Sequence, residues 1–590
     1  MTTTDESPSW SKTPRRRLLN KQFHLKKEAT FKAALETLSR SERIFVSVLV
    51  GLLLISVGGI LYSVNQFLLV EVPAKGGSTS EGIVGSPRFI NPLLALSDAD
   101  RDLTALVYSG LLKATPEGKF IPDLAESYTI SEDGLIYNFV LRDDAVFHDG
   151  EPVTTNDIVF TIGKAKDSLL KSPKRANWEG VGVEQVNERE INFVLQQPYA
   201  PFLENTTIGI LPMHMWEHTN TEQFAFSTHN IEPIGSGPYK IQRIERSSVG
   251  IPELYEFTVF EDYAIGRPYI DRVTIRIYSN EDELIKNYLR GDVDSMSGVS
   301  PEKLTEVHND SEIVRSPLPR IFAVFFNQSK APVFTHLEVR KALDVALDKE
   351  RIVNEVLGGY GTEIKSPIPP GVLRSSVQAS FEKSSRIERA KEILERNGWA
   401  QGDEGIWKKT VKKSELTLSF SIATSNTPEL KAAAAIIKDE WEKLGAQVTL
   451  RIFEPGDLNQ NVIRPREYEA LLFGEIVGRE LDLFAFWHSS QRNDPGLNIA
   501  LYANITADRL LEEARTLSER EERIKRYEQF EEEIKADIPA VFMYAPDFIY
   551  VTPKKVQGLE LGSVTTSGER FLNIHEWYIE TDKVWYFFEN

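Results

Sequence analysis

Residues 122–162 read "PDLAESYTISEDGLIYNFVLRDDAVFHDGEPVTTNDIVFTI" and pass through three kinds of local structure in one run. "LIYNFVLR", residues 135–142, alternates as a half-buried strand does. "DGEP", residues 149–152, holds the glycine and proline of a tight turn. "TTNDIVFTIGKAK" follows and reads as a helix, with Thr155 as its expected N-cap. Asp157 falls in its first turn, where the unpaired N–H groups favour negative charge. A strand that feeds a helix through a turn points to a mixed α/β chain.

Outward from this run the same grammar repeats. "RIFAVFFN", residues 320–327, is a strand. "LEVRKALDVALDKERIVNEVLGG" places Val339, Leu343, Val345, Ala346 and Ile352 at helical spacing and ends on a glycine pair. "LTLSFSI" is a strand, "PELKAAAAIIKDEWEKLG" a helix closed by Gly445, and "QVTLRIF" a strand again. Strand, helix, strand in that order marks an α/β unit. "ADRLLEEARTLSEREERIKRYEQFEEEIKAD" sets apolar residues at helical intervals among charges, as a helix with a solvated face does.

The start of the chain is different. Residues 1–43 hold ten Lys/Arg against five Asp/Glu, a net of +5; the whole chain carries -19, so the rest carries -24. An acidic body repels phosphate backbones, which argues against a nucleic-acid partner. Between the two lies "IFVSVLVGLLLISVGGILYSVNQFLLV", residues 44–70, without one charge. At about 1.5 Å per residue it is long enough to cross a hydrocarbon core of about 30 Å. The basic flank precedes it, so the expectation is a single-pass anchor with a cytoplasmic N-terminus and an exported body. A cleaved signal is the rival, with Val72-Pro73-Ala74 as its site, but the apolar run exceeds the usual length of about 7–15 residues. "EVPAKGGSTSEG", residues 71–82, reads as a small-residue linker. The 590 residues include no cysteine, which removes thiol catalysis, thiolate metal sites, disulfides and a lipid-bearing cysteine.

One enzymatic motif needs weighing. "ILPMHMWEH" contains His214, Glu217 and His218 in the spacing of an inverted zinc-peptidase signature. Such a site needs a third protein ligand. Only nine histidines exist, and no further acidic or histidine cluster stands out from the acidic background. The expectation is therefore structural or surface roles, with a zinc peptidase kept as the alternative. "GSGPY" lacks the spacing of a nucleophile elbow, and "GGYGTEIKS" lacks the ending of a phosphate loop.

Six ordered blocks carry a family resemblance. They are "INPLLALSDADRDLTALVYSGLL", the stretch 122–162, "PIGSGPYKI", "HLEVRKALDVALDKERIV", "AKEILERNGW" and "ADIPAVFMY". Over about residues 85–561 the chain resembles the family 5 extracellular solute-binding proteins, the peptide and nickel receptors of ABC importers.

The resemblance implies an α/β, two-lobed periplasmic-binding-protein-like fold with an extra domain on lobe one. Lobe one is expected at 78–114, 231–312 and 541–590, the extra domain at 115–230 and lobe two at 313–540. Residues 316–321 and 537–546 would be the hinge strands. It further implies no catalysis, no cofactor and no metal, a ligand enclosed between the lobes, and the permease subunits of an ABC transporter as partners. Peptide is the expected ligand, with sugar, metal chelate or haem as alternatives, and a non-transport surface protein reusing the fold as another. Dipeptide receptors carry an Arg after the strand similar to "LTLSFSI", where this chain has Thr424, Ser425 and Asn426. Their amine-binding Asp falls near Val477 or Gly478, with Glu475, Glu480 and Asp482 close by. Arg464 lies near the place of a cleft Arg in some oligopeptide receptors. The expected ligand-binding residues are thus Arg464, Glu475, Asp482, Thr424, Ser425 and Asn426, and the expected ligand is a peptide longer than a dipeptide.

Overall fold

One strand of 14 residues, Ala540–Pro553, organises the body of the protein. Its run of Val, Phe, Ile and Tyr suits a strand buried on both faces, and nearly every residue in it is buried. Its first half pairs antiparallel with Arg320–Phe326, matching Phe325 to Ala540 and Phe322 to Tyr544. Its second half pairs antiparallel with Ser311–Pro317, from Pro317 opposite Asp547 to Ser311 opposite Pro553. Between those partners the Leu318 N–H donates to the Pro546 carbonyl at 2.9 Å. Two neighbouring backbone segments thus cross from one half of the sheet to the other.

The computed structural model describes residues 39–370, 386–517 and 519–588; the basic segment up to residue 38 lies outside them. The described residues fall into two compact units, one of those in 39–72 with 582–588 and one of those in 73–581. In the larger unit a 12-stranded sheet among the described residues runs in the order Gln447–Phe453, Ser419–Ser425, Ala470–Ile476, Arg320–Phe326, Ala540–Pro553, Ser295–Ser297, Ser78–Val84, Arg272–Tyr278, Pro252–Val259, Tyr239–Arg246. Ser311–Pro317 and Gly361–Glu363 pair with Ala540–Pro553 beside this path. Separate cores flank the crossing. One gathers Ile83, Leu103, Phe257 and Trp577, two more gather Phe326 with Trp441 and Phe325 with Trp487, and a smaller one gathers Leu284 with Val551.

The opening stretch lies in a separate four-stranded antiparallel sheet, Ala125–Ile130, Ile136–Leu141, Glu190–Val194, Gly182–Gln185. Its helix spans Thr155–Lys166, with Thr154 rather than Thr155 as N-cap. The Asp157 carboxylate accepts from the Thr154 N–H at 2.9 Å, and the Thr155 hydroxyl leaves the helix to donate to the Asn187 carbonyl at 2.7 Å. The helix expected through residues 337–357 is two, Leu337–Ala346 and Lys349–Leu357. Asp348 breaks it by accepting from the Arg351 N–H at 3.0 Å, capping the second.

The expected linker at 71–82 is mostly strand. Ser78–Val84 lies inside the large sheet, parallel to Arg272–Tyr278 and to Ser295–Ser297. A Cβ on Gly82 would come within 2.2 Å of the Leu284 side chain, so packing rather than looseness explains this glycine. Glu81 of the same strand is buried and meets Arg570, whose Nε donates to Glu81 Oε1 at 2.8 Å. Arg570 Nη1 and Nη2 each donate to Asp102 at 2.8 Å, and the Tyr550 hydroxyl donates to Glu81 Oε2 at 3.0 Å.

In the smaller unit Arg40–Leu68 is one helix, capped by Ser39 and Glu42, and none of its residues is buried. Its length and composition suffice to cross a membrane. It continues into Leu69–Ala74, which pairs with Glu580–Trp585 in a two-stranded sheet.

Candidate functional site

A cavity of about 990 Å³ opens in the larger unit. Its lining comes from segments far apart in sequence, among them residues 108–114, 199–209, 478–482 and 565–572. That volume is at the upper end of small-ligand pockets, about 300–1,000 Å³.

The helix Asp98–Val107 delivers the first wall. Ser97 caps it, accepting from the Asp100 N–H at 3.1 Å. The glycine-rich turn "PIGSGPYKI" then packs on its last residue, and the Gly237 N–H donates to the Val107 carbonyl at 2.8 Å. A Cβ on Gly235 would lie 2.1 Å from that carbonyl oxygen, which is backbone and cannot swing aside. Gly235→Ala should therefore cost about 1–3 kcal/mol by overpacking, read as a lowered Tm of the unliganded protein. A variant that melts like wild type would show that this turn can shift.

Past Val107 the chain places Tyr108, Ser109 and Gly110, then the hairpin Leu112–Ala114 and Phe120–Pro122, which carries Lys113 and is followed by Asp123. Lys113 Nζ donates to the Tyr263 hydroxyl at 2.8 Å and lies 3.5 Å from His575 Nδ1. Burial lowers the Lys113 ammonium to about 8, against the opposing pull of Asp123. Burial pushes the Asp123 carboxyl up to about 6, partly offset by Lys113. Tyr108 Oη is buried without a hydrogen-bond partner among the described residues, while the buried Ser109 hydroxyl lies beside the Asp123 carboxyl and helps to lower it. Such groups are costly to leave unmet, so the Tyr108 hydroxyl and the remaining acceptor positions of Asp123 ask for polar atoms from outside the chain.

The other wall brings residues 199–204 against residues 480–515. The Glu480 N–H donates to Glu204 Oε2 at 3.1 Å, and the Ala200 N–H donates to the Arg515 carbonyl at 3.0 Å. The Tyr199 hydroxyl donates to Asp482 Oδ2 at 3.3 Å, and Arg515 Nε lies 3.2 Å from the same oxygen. The Arg515 guanidinium sits 4.5 Å from the Phe484 ring centre and 5.2 Å from that of Tyr199. Burial, then the Asp482 charge, pushes the Tyr199 hydroxyl up to about 12. Arg479 pairs with Glu569, while its Nη1 is buried without a hydrogen-bond partner among the described residues.

Of the six residues expected from the sequence, Asp482 lines the cavity and the other five do not. Glu475 is buried, on the face of Ala470–Ile476 that Leu471 and Phe473 turn to a lobe core, as the period of a strand requires. Burial raises its carboxyl well above the usual range. The Thr424 hydroxyl donates to the Leu472 carbonyl at 3.0 Å, and the Ser425 hydroxyl accepts from the Thr427 N–H at 3.4 Å. Asn426 donates to Glu454 at 2.5 Å. Arg464 is largely exposed, 3.8 Å from Asp494. Lys113, Asp123, Tyr199, Glu204, Arg479 and Arg515 also line the cavity, and sequence reasoning did not single them out. Lys113 left one trace, a cation inside the apolar run "YSGLLKA".

The zinc-like motif forms a single short turn, Met213–Trp216, with Trp216 buried. His214 pairs with Asp149 at 2.8 Å, and His218 is almost fully exposed, 3.4 Å from Glu217. Among the described residues no group of three or more His, Asp or Glu side chains is arranged to hold a metal ion.

Residues 119–495 match the model of the bacterial extracellular solute-binding proteins, family 5 Middle. The oligopeptide-binding protein AppA of Bacillus subtilis (strain 168) is 28% identical over 518 residues, 86% of this chain and 92% of its own. The solved structure of AppA from Bacillus subtilis in complex with a nonapeptide matches with a TM-score of 0.62 at 26% identity, covering 86% of this chain and 100% of that one. NikZ from Campylobacter jejuni in complex with Ni(L-His) matches with a TM-score of 0.64 at 26% identity, covering 85% and 99%. With its α/β body built around a two-segment crossing, this chain belongs to the family 5 bacterial extracellular solute-binding proteins.

Proposed function

We propose that the chain is a membrane-anchored receptor that encloses a peptide, longer than a dipeptide, and hands it to the permease subunits of an ABC importer. The body stands on the extracytoplasmic side, held by the helix Arg40–Leu68. Residues 78–114, 231–312 and 541–590 form lobe one, 115–230 its extra domain and 313–540 lobe two, hinged at the two crossing segments. A ligand that bridges both walls favours the closed arrangement by its differential affinity, and no bond is made or broken.

The observation that carries this reading is the cavity with both signs of charge and partnerless buried polar atoms on its wall. A peptide unit offers an N–H for Asp123 and a carbonyl for Lys113, so the pair reads the backbone and tolerates varied side chains. Asp482 takes the ligand's ammonium group. Arg464, Glu475, Thr424, Ser425 and Asn426 then serve lobe two's own structure. The nonapeptide complex of AppA, a relative of comparable length, supports a ligand of this kind. Mass spectrometry of small molecules released from gently purified protein tests the reading; a sugar, haem or metal chelate in place of peptides would sink it.

A pH dependence follows from the wall. Asp123 is an anion above about 6 and Lys113 a cation below about 8. Peptide affinity should therefore peak between those values and fall on both sides, as each group loses its charge. Asp123→Asn should remove the acid limb and Lys113→Met the alkaline one. Calorimetry giving a flat profile from about pH 5 to about pH 9 would take the pair out of the site.

A further inference from the structure

The end of the apolar helix carries a feature that a bare anchor does not need. Leu69–Ala74, which leaves the helix, pairs with Glu580–Trp585 from the far end of the sequence. Trp585 Nε1 donates to Asn65 Oδ1 at 2.9 Å, and Lys583 lies 3.4 Å from Glu71. All four of these residues fall in the same compact unit. The strand runs into "VWYFF", residues 584–588, without a charge. Trp585, Tyr586 and Phe587 are 44%, 48% and 60% exposed, and the Tyr586 and Phe587 rings lie 3.8 Å apart, centre to centre. Phe67 of the helix is 87% exposed, and Tyr62, also exposed, shares a helix face with Asn65 three residues on. Water is a poor solvent for such a patch, and within this unit none of these rings is buried among the described residues.

The depth of the patch says what does cover it. At about 1.5 Å per residue from Ile44, a hydrocarbon core of about 30 Å is crossed near residue 64. Asn65 and Gln66 are the first polar pair after that point, so the Trp585–Asn65 bond sits where the helix leaves the lipid tails. That is the depth at which Trp and Tyr rings are favoured, apolar body towards the tails and polar edge towards the headgroups. We propose that Trp585, Tyr586 and Phe587 form a second membrane contact, inserting into the outer headgroup layer beside the helix. The partner is the lipid surface itself, recognised through aromatic rings and not through charge, since the patch carries none. The proposal rests on the reading of Arg40–Leu68 as a membrane span.

The absence of cysteine makes the test direct, because one introduced thiol can be labelled alone. Full-length Phe67→Cys, Tyr586→Cys, Phe587→Cys and, in the body, Phe226→Cys would each carry a nitrobenzoxadiazole label in phosphatidylcholine vesicles with brominated acyl chains. The expected result is quenching at 586 and 587 comparable to that at 67, with none at 226. Quenching at 67 but not at 586 and 587 would overturn the aromatic contact and leave the anchor standing. No quenching at any position would overturn the span and the contact together. Excimer emission from pyrene labels at 586 without bromolipid quenching would give the patch to a second copy of the chain, again against the proposal.

Discussion

Arg570→Ala should cost about 3–5 kcal/mol, a large share of the about 5–15 kcal/mol that holds a typical protein folded. Arg570 is fully buried and is the sole cation in hydrogen-bond contact with the buried carboxylates Glu81 and Asp102 among the described residues. Truncation leaves two anions in a medium that solvates neither. Burial already raises the Glu81 carboxyl, and the Arg570 charge is the main force opposing that rise. Without it the folded protein binds protons more tightly than the unfolded chain. The variant's deficit should therefore be smallest below the ordinary carboxylate range and grow as pH rises through the raised folded values. Arg570→Lys should recover only part, because one ammonium cannot reproduce a fork on Asp102 and a third bond to Glu81. Replacing all three by apolar residues of similar volume should recover most of the loss, since a buried ionic triad as a whole is nearly neutral in energy. Chemical denaturation followed by tryptophan fluorescence reads all three cases. A loss below about 1 kcal/mol for Arg570→Ala would mean that water reaches the site and screens it as at a surface.

The same cluster shows why the site was harder to read in the sequence than the fold. It ties Ser78–Val84, Asp98–Val107, Ala540–Pro553 and Ser567–Phe571 together, and the residue beside Arg570 is Glu569, the partner of Arg479 at the cavity. No local pattern links Glu81 to Arg570 across nearly the whole chain. The stretch 122–162 was legible because alternation, turn chemistry and capping are local, and the structure moves the cap by a single residue. Residues 71–82 misled for the converse reason. Ser, Thr and Gly in a row look like a linker, yet Gly82 is small because Leu284 leaves no room, a fact about a neighbour two hundred residues away. Glu475 and Asp482 lie close in sequence, yet strand period turns Glu475 to the core while Asp482, in the loop beyond, lines the cavity. Lys113 and Asp123 acquire meaning only when the hairpin carrying them is folded against Tyr263 and His575.

Asp482→Asn should weaken the binding of a peptide with a free amino terminus roughly tenfold to a hundredfold, the worth of one charge-assisted contact of about 1.5–3 kcal/mol. The geometry leaves room for that contact. Asp482 Oδ2 meets the Tyr199 hydroxyl at 3.3 Å and Arg515 Nε at 3.2 Å, both longer than a well-formed ionic hydrogen bond of about 2.7–2.9 Å. An ammonium group can approach closer than either. Asparagine keeps the size and an acceptor for Tyr199, so the unliganded variant should melt close to wild type. The rival reading gives Asp482 a different task, holding Arg515 and with it the contact to Ala200 within the same wall of the cavity. The two readings separate on an N-acetylated peptide, which has no ammonium to bind. If Asp482 reads the ammonium, wild type binds the acetylated peptide as weakly as Asp482→Asn binds the free one, and the substitution costs nothing further. The two losses then overlap instead of adding, as expected for two halves of one contact. If Asp482 acts only through Arg515, the substitution weakens both peptides by the same factor, and Arg515→Met weakens both as well. Equal binding of the free peptide by wild type and Asp482→Asn would move the ammonium elsewhere in the cavity, where Glu204, Glu480 and Glu569 also line that wall.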